Sequence, residues 1–383
     1  MRRILILGST GSIGVQALEV VAGSEELAVA GLSAGTDVER LLAQADAHDV
    51  SRVAVADPEA ARRAARAWPQ GEVIAGPDGL LRLVSETDCD LVLNALVGSA
   101  GLGPTVAALA AGVDVALANK ESLVVGGELV MALAEATHAK VIPVDSEHSA
   151  LHQLIAGQRP GTVDRLVLTA SGGPFRGRLR EELADVTPTD ALAHPTWSMG
   201  GKITVDSATV INKGLELIET HHLFGVPYDR IDVVVHPQSI VHALVKLNDG
   251  ASLAHLGHPD MRVPISYALH HPERADVAVP ALDLAATGEL TFEPPDEDAF
   301  PCLGIAREAG RAGGTAPCVM NAANEVAVEA FLAERLRFLD IPAVVERTLD
   351  RTPVEPVGHF HELYRADAAA RELARELMGT VLA

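Results

Sequence analysis

Ile4-Leu-Ile-Leu7-Gly8-Ser-Thr-Gly11-Ser-Ile-Gly14 stands near the start of the chain, with an apolar helical pattern over 15–21 behind it. The short apolar run predicts a buried strand, the glycines a turn and the following pattern a helix. Glycines here let the backbone approach a pyrophosphate, and a helix start offers free N–H groups to it. The spacing Gly-x-x-Gly-x-x-Gly varies the dinucleotide-binding fingerprint, and strand, turn and helix are the context it requires. A tight strand-to-helix turn is the plainer reading of the same residues. Working outward, strands are expected at 27–32, 52–56, 72–75, 90–95, 114–117 and 140–144. Helices are expected between them at 37–48, 58–68, 79–86, 105–111 and 128–137. This alternation is the rhythm of a doubly wound parallel sheet, so the class is α/β with an N-terminal Rossmann-like domain.

The last of these strands runs into Val141-Ile-Pro-Val-Asp145-Ser-Glu147-His148-Ser149. Ligands bind beyond the carboxyl ends of strands in such sheets. If the chain stays extended, Asp145 and Glu147 share one side and aim two carboxylates at one point. Oxygen ligands so placed suit a hard divalent cation such as Mg²⁺ or Mn²⁺. An acidic loop capping the next helix explains the same residues. A third carboxylate lies in 206–224, which predicts one helix with Asp206 or Ser207 as N-cap and Gly225 as its stop. Asn212, Lys213 and Glu216 are spaced to share a face of it. An amide, an ammonium and a carboxylate together suit a phosphorylated ligand and its metal; an ordinary solvated face is the alternative.

Composition limits the partners. The chain has 383 residues, 52 acidic against 30 basic, and a formal charge of −22. That excludes a general nucleic-acid binder, which needs a basic face, and requires an anionic substrate to be held by local devices. Cys89, Cys302 and Cys318 have no metal or redox spacing, which fits a reducing cytoplasm. No apolar run approaches the ~20 residues of a membrane span.

Beyond His148 a strand is expected at 165–170, leading into Ser171-Gly-Gly-Pro-Phe175, a turn able to offer N–H groups and a hydroxyl to phosphate. His194-Pro-Thr-Trp197-Ser-Met199-Gly200-Gly201 has a lid's composition, a glycine hinge beside an aromatic side chain; an apolar anchor is the other reading of Trp197. Strands at 232–235 and 240–247 and a hairpin through Asn248-Asp-Gly250 make a β-layer compatible with a dimer. The segment 272–296 is a connection, and four helical patterns form a C-terminal domain over 297–383. The expected divisions are thus 1–147, an α+β domain over 148–271, the connection, and the helical domain.

These signals recur together. Gly8–Gly14, Leu117-Ala-Asn119-Lys120-Glu121-Ser-Leu123, Pro143–His148, Ser171–Phe175, His194–Gly200, Val205-Asp-Ser-Ala-Thr209 and Asn212–Glu216 stand in one order. So do His236-Pro-Gln-Ser239 and Asn321-Ala-Ala-Asn-Glu325. The set closely resembles the 1-deoxy-D-xylulose 5-phosphate reductoisomerase family. The resemblance implies NADPH- and metal-dependent rearrangement and reduction of that sugar phosphate to 2-C-methyl-D-erythritol 4-phosphate, in the non-mevalonate isoprenoid route, by a homodimer; the cysteine usage above sets it in the cytoplasm. Co²⁺ joins Mg²⁺ and Mn²⁺ as a candidate cation. By motif, Asp145, Glu147 and Glu216 correspond to metal ligands. Lys120, Ser146, Glu147, Ser171, His194, Trp197, Ser207, Asn212, Lys213 and Glu216 correspond to substrate contacts. Thr10, Gly11, Ser12, Ile13, Gly35, Thr36, Asn119, Glu121 and Gly200 correspond to cofactor contacts. Lys120, Asp145, Glu147, His148 and Glu216 make up the catalytic set, and Met199 belongs to the lid.

One departure stands out. Many members carry a basic residue and Asn where this chain has Thr36 and Asp37, and Asp37 would repel a 2′-phosphate. NADPH is still expected to be preferred, through contacts around 33–36. Two other classes compete: a metal-dependent phosphosugar isomerase or aldolase without hydride transfer, and a non-catalytic dinucleotide sensor. Intact Asp145, Glu147, Glu216 and Lys213 argue against the sensor.

Overall fold

The apolar run near the chain's start forms β1 (Arg2–Leu7), in which Ile4, Leu5, Ile6 and Leu7 are fully buried. The structure, a computed structural model, describes residues 1–381. The strands after β1 are β2 (Leu27–Ala34), β3 (Arg52–Val55), β4 (Glu72–Ala75), β5 (Leu91–Asn94), β6 (Asp114–Leu117) and β7 (Val141–Pro143). They pair in the order β4-β3-β2-β1-β5-β6-β7, all parallel. The order reverses at β1, between β2 and β5, which is where a crevice opens beyond the strand ends. Helices supply the apolar cover: Ala17, Leu18 and Val21 from Ser12–Ala22, and Leu41 and Ala45 from Val38–Ala47, share one core with Ile4 and Ile6.

Contacts divide the chain into two compact units. The first comprises 1–122, 130–149 and 260–280; the second comprises 123–129, 150–259 and 281–383. The helix Arg262–His270 therefore groups with the parallel sheet rather than with 148–259. Its Ile265, Ala268 and Leu269, spaced at three and four, join the first core, and Arg2 donates to the Leu269 carbonyl at 2.9 Å.

In the second unit β8 (Val163–Ala170), β9 (Ile231–Val235), β10 (Val241–Leu247) and β11 (Ser252–Leu256) pair in the order β11-β10-β8-β9. The expected hairpin is present as antiparallel β10–β11. The C-terminal helices Cys302–Ala312, Ala316–Leu332, Asp340–Arg351 and Phe360–Val381 occupy the region read as helical. They share a core with this sheet: Leu166, Leu168 and Ala243 pack in one cluster with Leu303, Phe331, Ile341 and Ala374.

Two local expectations are corrected. The span 206–224 is two helices, Gly201–Ala208 and Ile211–Phe224, so Asp206 and Ser207 lie in the last turn of the first and do not cap the second. The break is Val210, at φ +63°, a conformation β-branched residues avoid. The helix expected at 128–137 starts at Glu121, with non-helical backbone at Gly126; that glycine and the next masked the pattern in the sequence. Among the described residues no helix is long and apolar enough to cross a membrane.

Candidate active site

The glycine turn of the first unit is built for close approach. Gly8 has φ +82°, and a Cβ there would lie 2.7 Å from the Ala95 carbonyl oxygen. A Cβ on Gly14 would lie 2.4 Å from the Gly8 carbonyl oxygen. The helix Ser12–Ala22 starts at Gly11 with no side chain capping it, and Gly11 and Ser12 are exposed. Its first N–H groups are thus offered to a ligand, the arrangement a pyrophosphate fits. Thr10 and Ile13 are half-buried beside it, and Gly35 and Thr36 are exposed beyond β2. Ser33 is not available there: it is fully buried, and its Oγ accepts from the Gly8 N–H at 3.1 Å.

β6 and β7 end side by side, with Leu117 opposite Pro143. Lys120 follows β6, Asp145 follows β7, and the two form an ion pair with both side chains largely buried. The chain does not stay extended past β7. A helix, Ser146–Ala156, begins at once, and the Ser149 N–H donates to the Asp145 carbonyl at 2.8 Å. Strand alternation therefore does not bring Asp145 and Glu147 together; the helix's first turn does, with an oxygen of each within 4.8 Å of the other. Ser146 Oγ donates to Glu147, and the fully buried His148 has a ring nitrogen within 4.8 Å of an Asp145 oxygen. Asn119 is buried and organises the neighbouring loop. Its Nδ2 donates to the carbonyls of Leu96 and Gly98 at 2.9 Å and to Glu121 at 3.1 Å.

The second unit gathers the hydroxyls and the ammonium. Ser171 follows β8, and Gly173, at φ +69°, packs so tightly on the helix Gly201–Ala208 that a Cβ would lie 2.5 Å from the Ser207 carbonyl oxygen. The backbone of Ser207, 36 positions beyond Ser171, is thereby brought against the turn that Ser171 opens. Past Val210, Asn212 and Lys213 both donate to Glu216, which is 1% exposed. The face read from their spacing is therefore real. Ser207 and Asn212 are half-buried and Lys213 is buried.

His194 links the lid loop to this group. Its Nδ1 accepts the backbone N–H groups of Thr196 at 3.1 Å and Trp197 at 2.9 Å. That assigns the proton to Nε2, which donates to Ser171 Oγ at 3.0 Å. Burial lowers the imidazole pKa, favouring this neutral form. Ser171 Oγ also accepts the Gly173 N–H at 3.2 Å, so its own proton is left to be donated to an anion. Trp197 and Met199 are half-buried, and Gly200, exposed, caps the next helix with backbone alone.

Sequence reasoning missed one buried contact. Asp206, 1% exposed, accepts from Asn324 at 2.8 Å and pairs with Lys202 at 2.8 Å. Asn324 lies in the Asn321–Glu325 motif, whose spacing alone carries no partner.

Family models describe three stretches of the chain: "1-deoxy-D-xylulose 5-phosphate reductoisomerase" over 4–127, "1-deoxy-D-xylulose 5-phosphate reductoisomerase C-terminal domain" over 141–224, and "DXP reductoisomerase C-terminal domain" over 256–373. A 1-deoxy-D-xylulose 5-phosphate reductoisomerase of Ralstonia nicotianae is 51% identical across 98% of this chain and 97% of its own. The enzyme of that name from Rhodococcus jostii is 53% identical across 98% and 94%. A solved reductoisomerase from Zymomonas mobilis in complex with NADPH superposes with a TM-score of 0.91 at 40% identity, covering 98% of each chain. Another, in complex with NADPH, fosmidomycin and magnesium, gives 0.95 at 37% identity, covering 100% of this chain and 99% of its own. The chain belongs to the 1-deoxy-D-xylulose 5-phosphate reductoisomerase family.

Proposed function

We propose that the protein converts 1-deoxy-D-xylulose 5-phosphate to 2-C-methyl-D-erythritol 4-phosphate, with NADPH as hydride donor and a divalent cation, in the non-mevalonate isoprenoid route. The observation that carries this is end-to-end identity of about half the residues with enzymes of that name. The donor set fits the cation: Asp145, Glu147 and Glu216 are hard oxygen ligands, suited to Mg²⁺ or Mn²⁺. When bound, the cation supplies Lewis-acid polarisation of neighbouring substrate oxygens.

The chain's own residues do the rest. Ser171, Ser207, Asn212 and Lys213 hold the phosphate, giving binding energy remote from the reacting carbons that offsets the cost of orienting them. His194, neutral, keeps the Ser171 proton aimed at that phosphate. Lys120 orients Asp145, with Ser146 and His148 beside it. Trp197 and Met199 exclude water as the lid closes. Thr10, Gly11, Ser12 and Ile13 receive the cofactor's pyrophosphate, Gly35 and Thr36 its adenosine end, and Asn119, Glu121 and Gly200 border its nicotinamide half. NADPH brings the hydride, and the protein positions it.

The quaternary reading is a homodimer; in its support, β11 is an edge strand bearing Leu253 and Leu256, each more than one-third exposed. A cytoplasmic setting is supported by three unpaired cysteines. The test of function is NADPH oxidation by the purified protein with the sugar phosphate, with Mg²⁺ or Mn²⁺ and then with a chelator. Oxidation requiring both sugar phosphate and metal is expected. Sugar-phosphate turnover without oxidation would favour the isomerase or aldolase class. NADPH binding with no turnover would favour a sensor.

A further inference from the structure

We propose that Arg40 selects NADPH over NADH, its guanidinium taking the phosphate on the adenosine ribose. This rests on the NADPH reading above and names the residue responsible for the choice. The place is right: in such sheets the adenosine ribose lies at the end of the second strand, where an acid favours NAD and an arginine accommodates the 2′-phosphate. Gly35 and Thr36 are exposed just past β2, and a Cβ on Gly35 would meet nothing within 4 Å.

Arg40 and Gln44 together tie the helix Val38–Ala47 to the glycine turn. Arg40 lies one turn before Gln44 on this helix, and both side chains reach the glycine turn. Gln44 Oε1 accepts from Ser9 Oγ at 2.8 Å, and Gln44 Nε2 donates to the Ser9 carbonyl at 3.0 Å. Arg40 Nη1 donates to the Thr10 carbonyl at 3.3 Å. The exposed Arg40 side chain so stands at the turn that takes the pyrophosphate, on the helix that follows the strand end that takes the ribose. Its planar fork matches a phosphate.

The one objection from sequence, Asp37, is answered by its place in the helix. Asp37 is the N-cap of the same helix, and its Oδ1 accepts the Arg40 backbone N–H at 3.2 Å. Its charge serves the helix's positive end. The Ser33 hydroxyl, in the stretch expected to favour NADPH, is buried against Gly8. Selection therefore falls to Arg40.

The test titrates NADPH and NADH into full-length wild type, Arg40→Gln and Arg40→Lys by calorimetry, without sugar phosphate. In Arg40→Gln the NADPH Kd should rise roughly 10- to 100-fold, the loss of one charged hydrogen-bonding partner. The NADH Kd should stay within about twofold, since that nucleotide lacks the charge that Arg40 pairs with. Arg40→Lys should recover part of the loss, and adenosine 2′,5′-bisphosphate should compete well only against wild type. Equal weakening of both nucleotides, or an unchanged NADPH Kd in a variant with native circular dichroism, overturns the role of Arg40. Failure of the wild type to bind NADPH overturns the cofactor reading itself, and this one with it.

Discussion

Ser171 and His194, 23 residues apart, meet through a hydrogen bond of 3.0 Å from Nε2 to Oγ, and this bond ties the lid loop to the phosphate residues. It depends on a neutral ring, because a protonated Nδ1 cannot accept from Thr196 and Trp197. Burial lowers the His194 pKa, so the arrangement is complete above the ordinary value of 6.5 and is lost as pH falls through the lower folded value. The KM for the sugar phosphate should therefore be flat above pH 6.5 and climb under acid conditions. His194→Ala should raise that KM roughly tenfold, about the 1.4 kcal/mol of one hydrogen bond, and should flatten its acid rise. Steady-state kinetics across pH decides; a wild-type acid rise that survives in the variant would assign the titration elsewhere.

Glu216→Gln keeps the side chain's shape but removes its charge. Turnover at saturating Mg²⁺ should fall roughly 100-fold or more, as expected when an anionic metal ligand is lost. NADPH affinity should stay within about twofold, because the glycine turn is untouched. Calorimetric titration of Mn²⁺ gives an independent reading. Retained turnover with unchanged Mn²⁺ affinity would take Glu216 out of the ligand set.

Gly14→Ala tests the cradle directly. Its Cβ would lie 2.4 Å from the Gly8 carbonyl oxygen and 2.5 Å from Ser9 Cα, both backbone atoms that cannot rotate away. The turn must shift, at a stability cost of about 1–3 kcal/mol. NADPH binding should weaken far more than Mn²⁺ binding, as calorimetry with each would measure. Wild-type NADPH affinity in this variant would show that the turn is not the pyrophosphate seat.

Asn324→Asp should be worse than Asn324→Ala. The alanine leaves Asp206 one donor short, a loss of about 1–3 kcal/mol. The aspartate sets a second carboxylate beside a buried one, 2.8 Å away in the present geometry, and costs more. Urea unfolding gives the order; equal stabilities would mean that Asp206 has relaxed toward Lys202 alone.

What was legible in the sequence shares a physical character: it is local. The glycine turn, the alternation around it and the face carrying Asn212, Lys213 and Glu216 follow from steric rules acting over a few residues. The same rules misled where tertiary packing overrode them. A helix start replaced the extended chain at Asp145, and Val210, buried among apolar neighbours, was held in a conformation no propensity scale would choose.

The sequence by itself determined the family, the first sheet's class and the chemical identity of the donors, because these depend on residue type and short-range order. Tertiary structure alone decided which polar groups remain for a ligand. Ser33 was engaged by Gly8 and Asp37 by its own helix, while the Arg40 side chain was set at the glycine turn and the Ser171 proton was left for an anion. The reason is that a hydrogen-bonding group's role is set by the partner packing brings to it. Asp206 and Asn324, 118 positions apart, become neighbours only once both helices have joined one core.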